Sequence, residues 1–186
     1  MSVTVAKYAG FCFGVSRAVE LVEKAAAEGR QVVTLGPIIH NRHVVERFQE
    51  MGVHVIDRPE DAPEGSTVII RSHGVAKKVY EILEQRKVEV IDATCPFVKR
   101  IHGLVSKAEE EGRLPVIIGT RSHPEVEGIA GWCGDCRIFE TPEELEKWAQ
   151  DSGVDPKTPI CMVSQTTSTE SLWKFCEKKA KKQFTT

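Results

Sequence analysis

No stretch of this 186-residue sequence approaches the roughly 18 consecutive apolar residues that a membrane-crossing helix needs. A secretory leader is not expected either. The N-terminus runs directly into SVTVAKYAG, which reads as the start of a strand rather than as a charged segment followed by an apolar one. Neither sign of charge dominates: 25 Lys and Arg face 27 Asp and Glu, a net charge of −2, which disfavours bulk nucleic-acid binding. The one local exception, EKKAKKQ at Glu177–Gln183, reads as a solvated helix face. There is no low-complexity linker. These absences predict a cytoplasmic chain with no membrane partner and no nucleic-acid partner. In a reducing compartment its six cysteines are buried apolar residues, metal ligands or redox groups rather than structural disulfides.

What is present is an alternation of short β-branched runs and amphipathic helices. Strands are predicted over 3–7, 32–36, 53–57, 66–71, 88–92, 114–119, 137–140 and 159–164. Several are continuously apolar, as strands buried on both faces should be. Helical stripes fall at Val15, Ala18, Val19 and Val22, at Val44, Val45, Phe48 and Met51, and at Val79, Ile82 and Leu83. A further stripe runs through Ile101, Leu104, Val105 and Ala108. TPEELEKWAQ opens with Thr141 as N-cap, Pro142 at the first helical position and Glu144 as its capping-box partner. The last helix is STESLWKFCEKKAKK. The fold class is α/β, with repeated small domains of parallel sheet flanked by helices. A break near Pro96 divides the chain into a first domain, 1–95, and a second, 96–186.

Three strands are followed by a loop that holds a histidine: His40 in GPIIHN, His73 in RSHGV and His123 in RSHPEVEG. All three lie just beyond the carboxyl ends of parallel strands, where ligands of open α/β sheets bind. Cys12 and Cys95 occupy the same edge, each at the start of a helix. Helix N-termini favour thiolate, the form that ligates soft metals and iron–sulfur clusters. Histidines can grip a phosphate or diphosphate, and Glu125, two residues after His123, can supply a proton. His43, His54 and His102 lack this placement and read as surface or packing residues.

GFCFGVSRAV, GPIIHN, SHGV, DATCP, SHPEVEG and SQTT follow one another in that order between Gly10 and Thr167. The ordered set resembles the 4-hydroxy-3-methylbut-2-enyl diphosphate reductases, the iron–sulfur enzymes that close the methylerythritol phosphate route to isoprenoids. That resemblance implies a [4Fe–4S] cluster held by three cysteines, two of them Cys12 and Cys95. It implies that His40, His73 and His123 bind the substrate diphosphate, that Glu125 is the proton source, and that Thr166 contacts the substrate hydroxyl. The implied reaction removes that hydroxyl to give isopentenyl and dimethylallyl diphosphates, with ferredoxin or flavodoxin delivering electrons.

The same resemblance sets a further expectation. The family has three similar α/β domains, and this sequence matches two of them. It stops about one helix short of the third cysteine, so the isolated chain is expected neither to retain a stable cluster nor to turn over unaided. Cys176, on the apolar face of the last helix, and Cys161, in a strand, read as core residues rather than as the third ligand. Two other readings use the same residues differently. One is a non-catalytic module that holds a diphosphate on the histidine edge. The other is a dithiol oxidoreductase using Cys133 and Cys136, the C-x-x-C of GWCGDC. That motif follows a helix instead of opening one, which argues against an activated thiol.

Overall fold

The computed structural model describes residues 2–7 and 9–184. The chain folds as two compact units, Met1–Ser72 with Arg86–Cys95 and His73–Gln85 with Pro96–Thr186. Residues 73–85, which a cut at 95/96 would leave with the first half, therefore count with the second.

The first unit contains α1 (Phe13–Ala27), β1 (Val32–Leu35), α2 (Arg42–Glu50), β2 (His54–Ile56), β3 (Thr67–Ile70) and β4 (Glu89–Asp92). Its four strands pair in parallel in the order β2-β1-β3-β4. Every residue of β1 and β3 is buried, the pattern their continuous apolar sequences demand. The α1 stripe of Ala18, Val19, Val22 and Ala25 shares one core with Val32, Ile38, Phe48 and Ile69. Each large aliphatic side chain buried there contributes about 1.5–3 kcal/mol.

The second unit contains α3 (Lys77–Gln85), α4 (Pro96–Glu110), β5 (Leu114–Ile118), α5 (Pro124–Ala130), β6 (Arg137–Phe139), α6 (Pro142–Asp151), β7 (Ile160–Ser164) and α7 (Glu170–Gln183). Its sheet is parallel, in the order β6-β5-β7. Alternation along β5 divides the core in two. Val116 and Ile118 join Phe139, Leu145, Cys176 and Ala180 on one face. Ile117 joins Val105, Val126, Ile129 and Val163 on the other. Helices α6 and α7 thus supply one layer and α4 and α5 the other. Thr141 caps α6 as its sequence dictates, its hydroxyl accepting from the Glu144 amide at 3.2 Å.

Three expectations need correction. Residues 3–6 form no strand, and Val3 and Val5 are 88% and 76% exposed. A β-branched run becomes a strand only where a sheet edge accepts its ladder and a neighbour covers its side chains, and this segment pairs with neither sheet among the described residues. In α4, Leu104 faces outward, and His102 takes the buried place beside Val105, stacked 5.1 Å from Trp132. An aromatic partner makes a histidine worth burying where spacing alone nominates the leucine. Met51 likewise is exposed just past the end of α2.

Both sheets share one topological property. In the first, the chain leaves β1 toward β2 on one side and returns to place β3 on the other. In the second, β5 is flanked in the same way by β6 and β7. The strand order reverses between β1 and β3 and between β5 and β7, and at such points the loops beyond the carboxyl ends diverge and open a crevice.

Candidate functional site

In the first unit the crevice loops carry Cys12, His40 and Cys95. Cys12 is the N-cap of α1, with extended backbone and no capping bond from its side chain. Its exposed thiol is therefore left for another task. Cys95 ends the β4 loop and immediately precedes α4. Its backbone is fixed from two sides: its amide donates to the Ser72 carbonyl at 2.9 Å, and Ser72 Oγ donates to the Ile38 carbonyl at 3.1 Å. Arg17 on α1 donates to the carbonyls of Asp92 at 3.2 Å and Thr94 at 3.3 Å, joining the α1 helix to the Cys95 loop. A Cβ on Gly14 would lie 2.6 Å from Cys95 Sγ. The first turn of α1, two residues past Cys12, thus passes directly over the Cys95 sulfur, and only glycine leaves room for both.

His40 follows β1 in an exposed loop and precedes Asn41, the N-cap of α2, whose Oδ1 accepts from the Val44 amide at 3.3 Å. The hollow that His40 lines encloses about 390 Å³ between its loop and α2. Arg71, at the carboxyl end of β3, lays its guanidinium against Gly36 at the end of β1. The switch point of this sheet therefore holds a fixed cation that sequence reading passed over, since the arginine precedes the SHGV motif instead of belonging to it.

In the second unit the structure links His73, His123, Glu125 and Thr166 through three successive contacts. The rings of His73 and His123 meet edge to face with centroids 5.6 Å apart. His123 is also the N-cap of α5: its Nδ1 accepts from the Glu125 amide at 3.1 Å. In a neutral ring that bond places the proton on Nε2, leaving a donor directed away from the helix.

Glu125, in the first turn of α5, is only 2% exposed. A buried carboxylate needs donors, and Thr166 beyond β7 supplies two. Its amide donates to Oε1 at 2.6 Å and its hydroxyl to Oε2 at 2.8 Å. Gln165 braces the same loop, accepting from the Thr120 amide at 3.2 Å and donating to Thr167 Oγ1 at 2.6 Å. The two loops that flank this switch point are thus tied together through Glu125 and Gln165. Sequence reading missed Gln165; its place in SQTT, directly before Thr166 and Thr167, was the available signal.

The remaining cysteines separate by environment. Cys176 is fully buried, and burial pushes its thiol up to about 11. Desolvation also raises the Cys161 thiol. Both suit core positions, and His43 and His54 are exposed surface residues.

The family model described as LytB protein matches residues 3–186. The chain is 43% identical over 179 residues to the 4-hydroxy-3-methylbut-2-enyl diphosphate reductase of a Thermoanaerobacter species, a match that covers 94% of this chain and 60% of that one. With the enzyme of the same name from Aquifex aeolicus the identity is 40%, at the same coverage. The solved E-1-hydroxy-2-methyl-but-2-enyl-4-diphosphate reductase of Plasmodium falciparum superposes with a TM-score of 0.87 at 29% identity, over 95% of this chain and 55% of its own. A second solved structure, an (E)-4-hydroxy-3-methyl-but-2-enyl diphosphate reductase, gives a TM-score of 0.83 at 38% identity, over 98% of this chain and 64% of its own. This chain spans about 60% of the length of the curated relatives it matches. It belongs to the LytB family.

Proposed function

We propose that this LytB-family chain acts in the reductive dehydroxylation of 4-hydroxy-3-methylbut-2-enyl diphosphate to isopentenyl and dimethylallyl diphosphates, in the cytoplasm, with ferredoxin or flavodoxin as electron donor. His40, His73 and His123 are the diphosphate ligands, Thr166 meets the substrate hydroxyl and Glu125 supplies a proton. The observation that carries this reading is the Glu125–Thr166 pair: a carboxyl group almost wholly removed from water, joined to an exposed hydroxyl by a 2.8 Å hydrogen bond.

Cys12 and Cys95 are the residues that would hold a [4Fe–4S] cluster. Support for this comes from the donor set, two cysteines free of any disulfide, and from the glycine cradle that keeps the α1 turn clear of the Cys95 sulfur. When bound, such a cluster supplies electrons and a Lewis-acidic iron.

The side chains account for the rest. His123 presents Nε2–H to a phosphate oxygen while its other nitrogen is occupied by the α5 cap, so the ring cannot turn away without losing that bond. Thr166 works as a two-way relay. With Glu125 ionised, the Thr166 hydroxyl donates to the carboxylate, and its lone pairs can accept from the substrate hydroxyl. With Glu125 protonated, the acid proton passes to the Thr166 oxygen as the Thr166 proton passes to the departing oxygen, which then leaves as water. Burial of the acid excludes bulk water from this exchange.

Calorimetric titration of the substrate into the chain tests the reading. His73→Ala and His123→Ala should each weaken binding at least tenfold, whereas Glu125→Gln should leave binding close to wild type, because its role is in proton delivery. Undiminished binding in both histidine variants would overturn the assignment.

A further inference from the structure

The loop that follows α5 contains a feature outside the chemistry described above. Cys133 and Cys136 are both free and half-buried, and both pack against the core cluster of Val126 and Ile129. The Cys133 thiol also lies 3.5 Å from the Ala130 carbonyl at the end of α5. The tip of the turn between them is clamped: Glu109 Oε1 on α4 accepts from the Gly134 amide at 2.6 Å and from the Asp135 amide at 3.0 Å. Beyond it, Arg137 donates to the Cys136 carbonyl at 3.1 Å and pairs with Asp135. The two cysteines are therefore carried on one short turn whose backbone is fixed independently of their sulfurs.

We propose that Cys133 and Cys136 form a reversible dithiol–disulfide pair, oxidised by small-molecule disulfides. A helix C-terminus does not by itself activate a thiol. In the structure the partner thiol takes the place of the helix. Interaction between the two side chains pushes the Cys133 thiol up and brings that of Cys136 down; for Cys136, Arg137 supports the shift and burial, Asp135 and Glu109 oppose it. Cys136 is thus the attacking sulfur and Cys133 the resolving one. Cys136 thiolate attacks one sulfur of the small disulfide and releases its other half as thiolate. That thiolate takes the Cys133 proton, Cys133 attacks Cys136 Sγ, and the second half leaves as thiolate. The protein gives up two electrons and the small disulfide gains them. The disulfide so formed has the ordinary S–S length of about 2.0 Å.

Trp132 makes the event observable. It precedes Cys133, stacks on His102 at 5.1 Å, meets Tyr80 edge to face at 5.9 Å, and donates its indole N–H to the Val75 carbonyl at 2.9 Å.

The test uses the reduced 186-residue chain in graded mixtures of oxidised and reduced glutathione, followed by alkylation and peptide mapping. No Lys or Arg separates the two cysteines, so both lie in the tryptic peptide 122–137. The expected result is that this peptide becomes unalkylated and lighter by two hydrogens before Cys161 or Cys176 reacts, with tryptophan emission quenched in step and restored by dithiothreitol. Cys133→Ser should trap glutathione on Cys136, and Cys136→Ser should trap far less on Cys133. A peptide that stays doubly alkylated while other thiols oxidise would overturn the proposal, and so would glutathione captured preferentially at Cys133. The wild-type map decides the matter even if either variant folds poorly.

Discussion

Thr166 reaches Glu125 twice across 41 residues of sequence, through its amide at 2.6 Å and its hydroxyl at 2.8 Å. The carboxylate is too buried to be satisfied by solvent, so the two bonds are not interchangeable with hydration. Thr166→Val removes one donor and should destabilise the chain by about 1–3 kcal/mol in urea denaturation. Thr166→Ser, which restores the hydroxyl, should recover most of that loss. Equal stability of the valine and serine variants would show that the hydroxyl bond contributes nothing.

His123 has two separable tasks, one at each ring nitrogen. Asparagine can accept the Glu125 amide through its side-chain oxygen but cannot present a donor where Nε2 lies. His123→Asn should therefore keep nearly wild-type stability, whereas His123→Ala should lose about 1 kcal/mol. Both should bind inorganic diphosphate at least tenfold more weakly than wild type. Paired melting and calorimetric measurements on the two variants make the comparison.

Gly14→Ala sets two effects against each other. Helix propensity favours alanine by up to about 1 kcal/mol. Against it stands a Cβ placed 2.6 Å from Cys95 Sγ and 3.1 Å from Cys95 Cβ, an overpacking of the kind that costs about 1–3 kcal/mol. The expected result is a net loss of stability together with faster alkylation of Cys95 as its side chain is pushed aside. A stabilised variant with unchanged Cys95 reactivity would mean that the sulfur moves freely.

Cys176 predicts an alkaline limb. Its folded thiol lies at about 11, above the ordinary 9.0, so the folded state holds its proton more tightly than the unfolded state. The contribution to stability is complete below pH 9.0 and is lost as pH rises toward 11. Cys176→Ala should flatten that part of the stability profile, measured by denaturant midpoints across the range, while lowering stability at neutral pH through lost packing.

The strands and helices of the described residues were largely legible in the sequence, because buried parallel strands and amphipathic helices have different periods and Thr141, Pro142 and Glu144 state where a helix begins. Strand order was not legible: nothing local in β1 says that β2 and β3 take opposite sides of it. The N-terminal run misled because Val3 and Val5 have strand-like chemistry without a sheet edge to receive it. His40, His73 and His123 could be picked out by their position after strands. The closeness of Gly14 to Cys95 could not, since it depends on two segments 81 residues apart in the numbering of the chain. Arg71, Gln165 and the Glu109 clamp on the turn of Cys133 and Cys136 are likewise properties of tertiary placement, and local composition carries no record of them.

Residues 73–85 leave the first unit after β3, add α3 and His73 to the second, and the chain then returns to lay down β4. Neither unit is consequently a continuous stretch of polypeptide. Cutting the gene at codon 95 would not liberate two modules; it would strip the second of a helix and a histidine and leave the first trailing a segment with no home. On the ribosome, β4 emerges before most of the unit to which α3 belongs has been translated. Swapping or transplanting either half between relatives therefore has to carry the excursion with the later half.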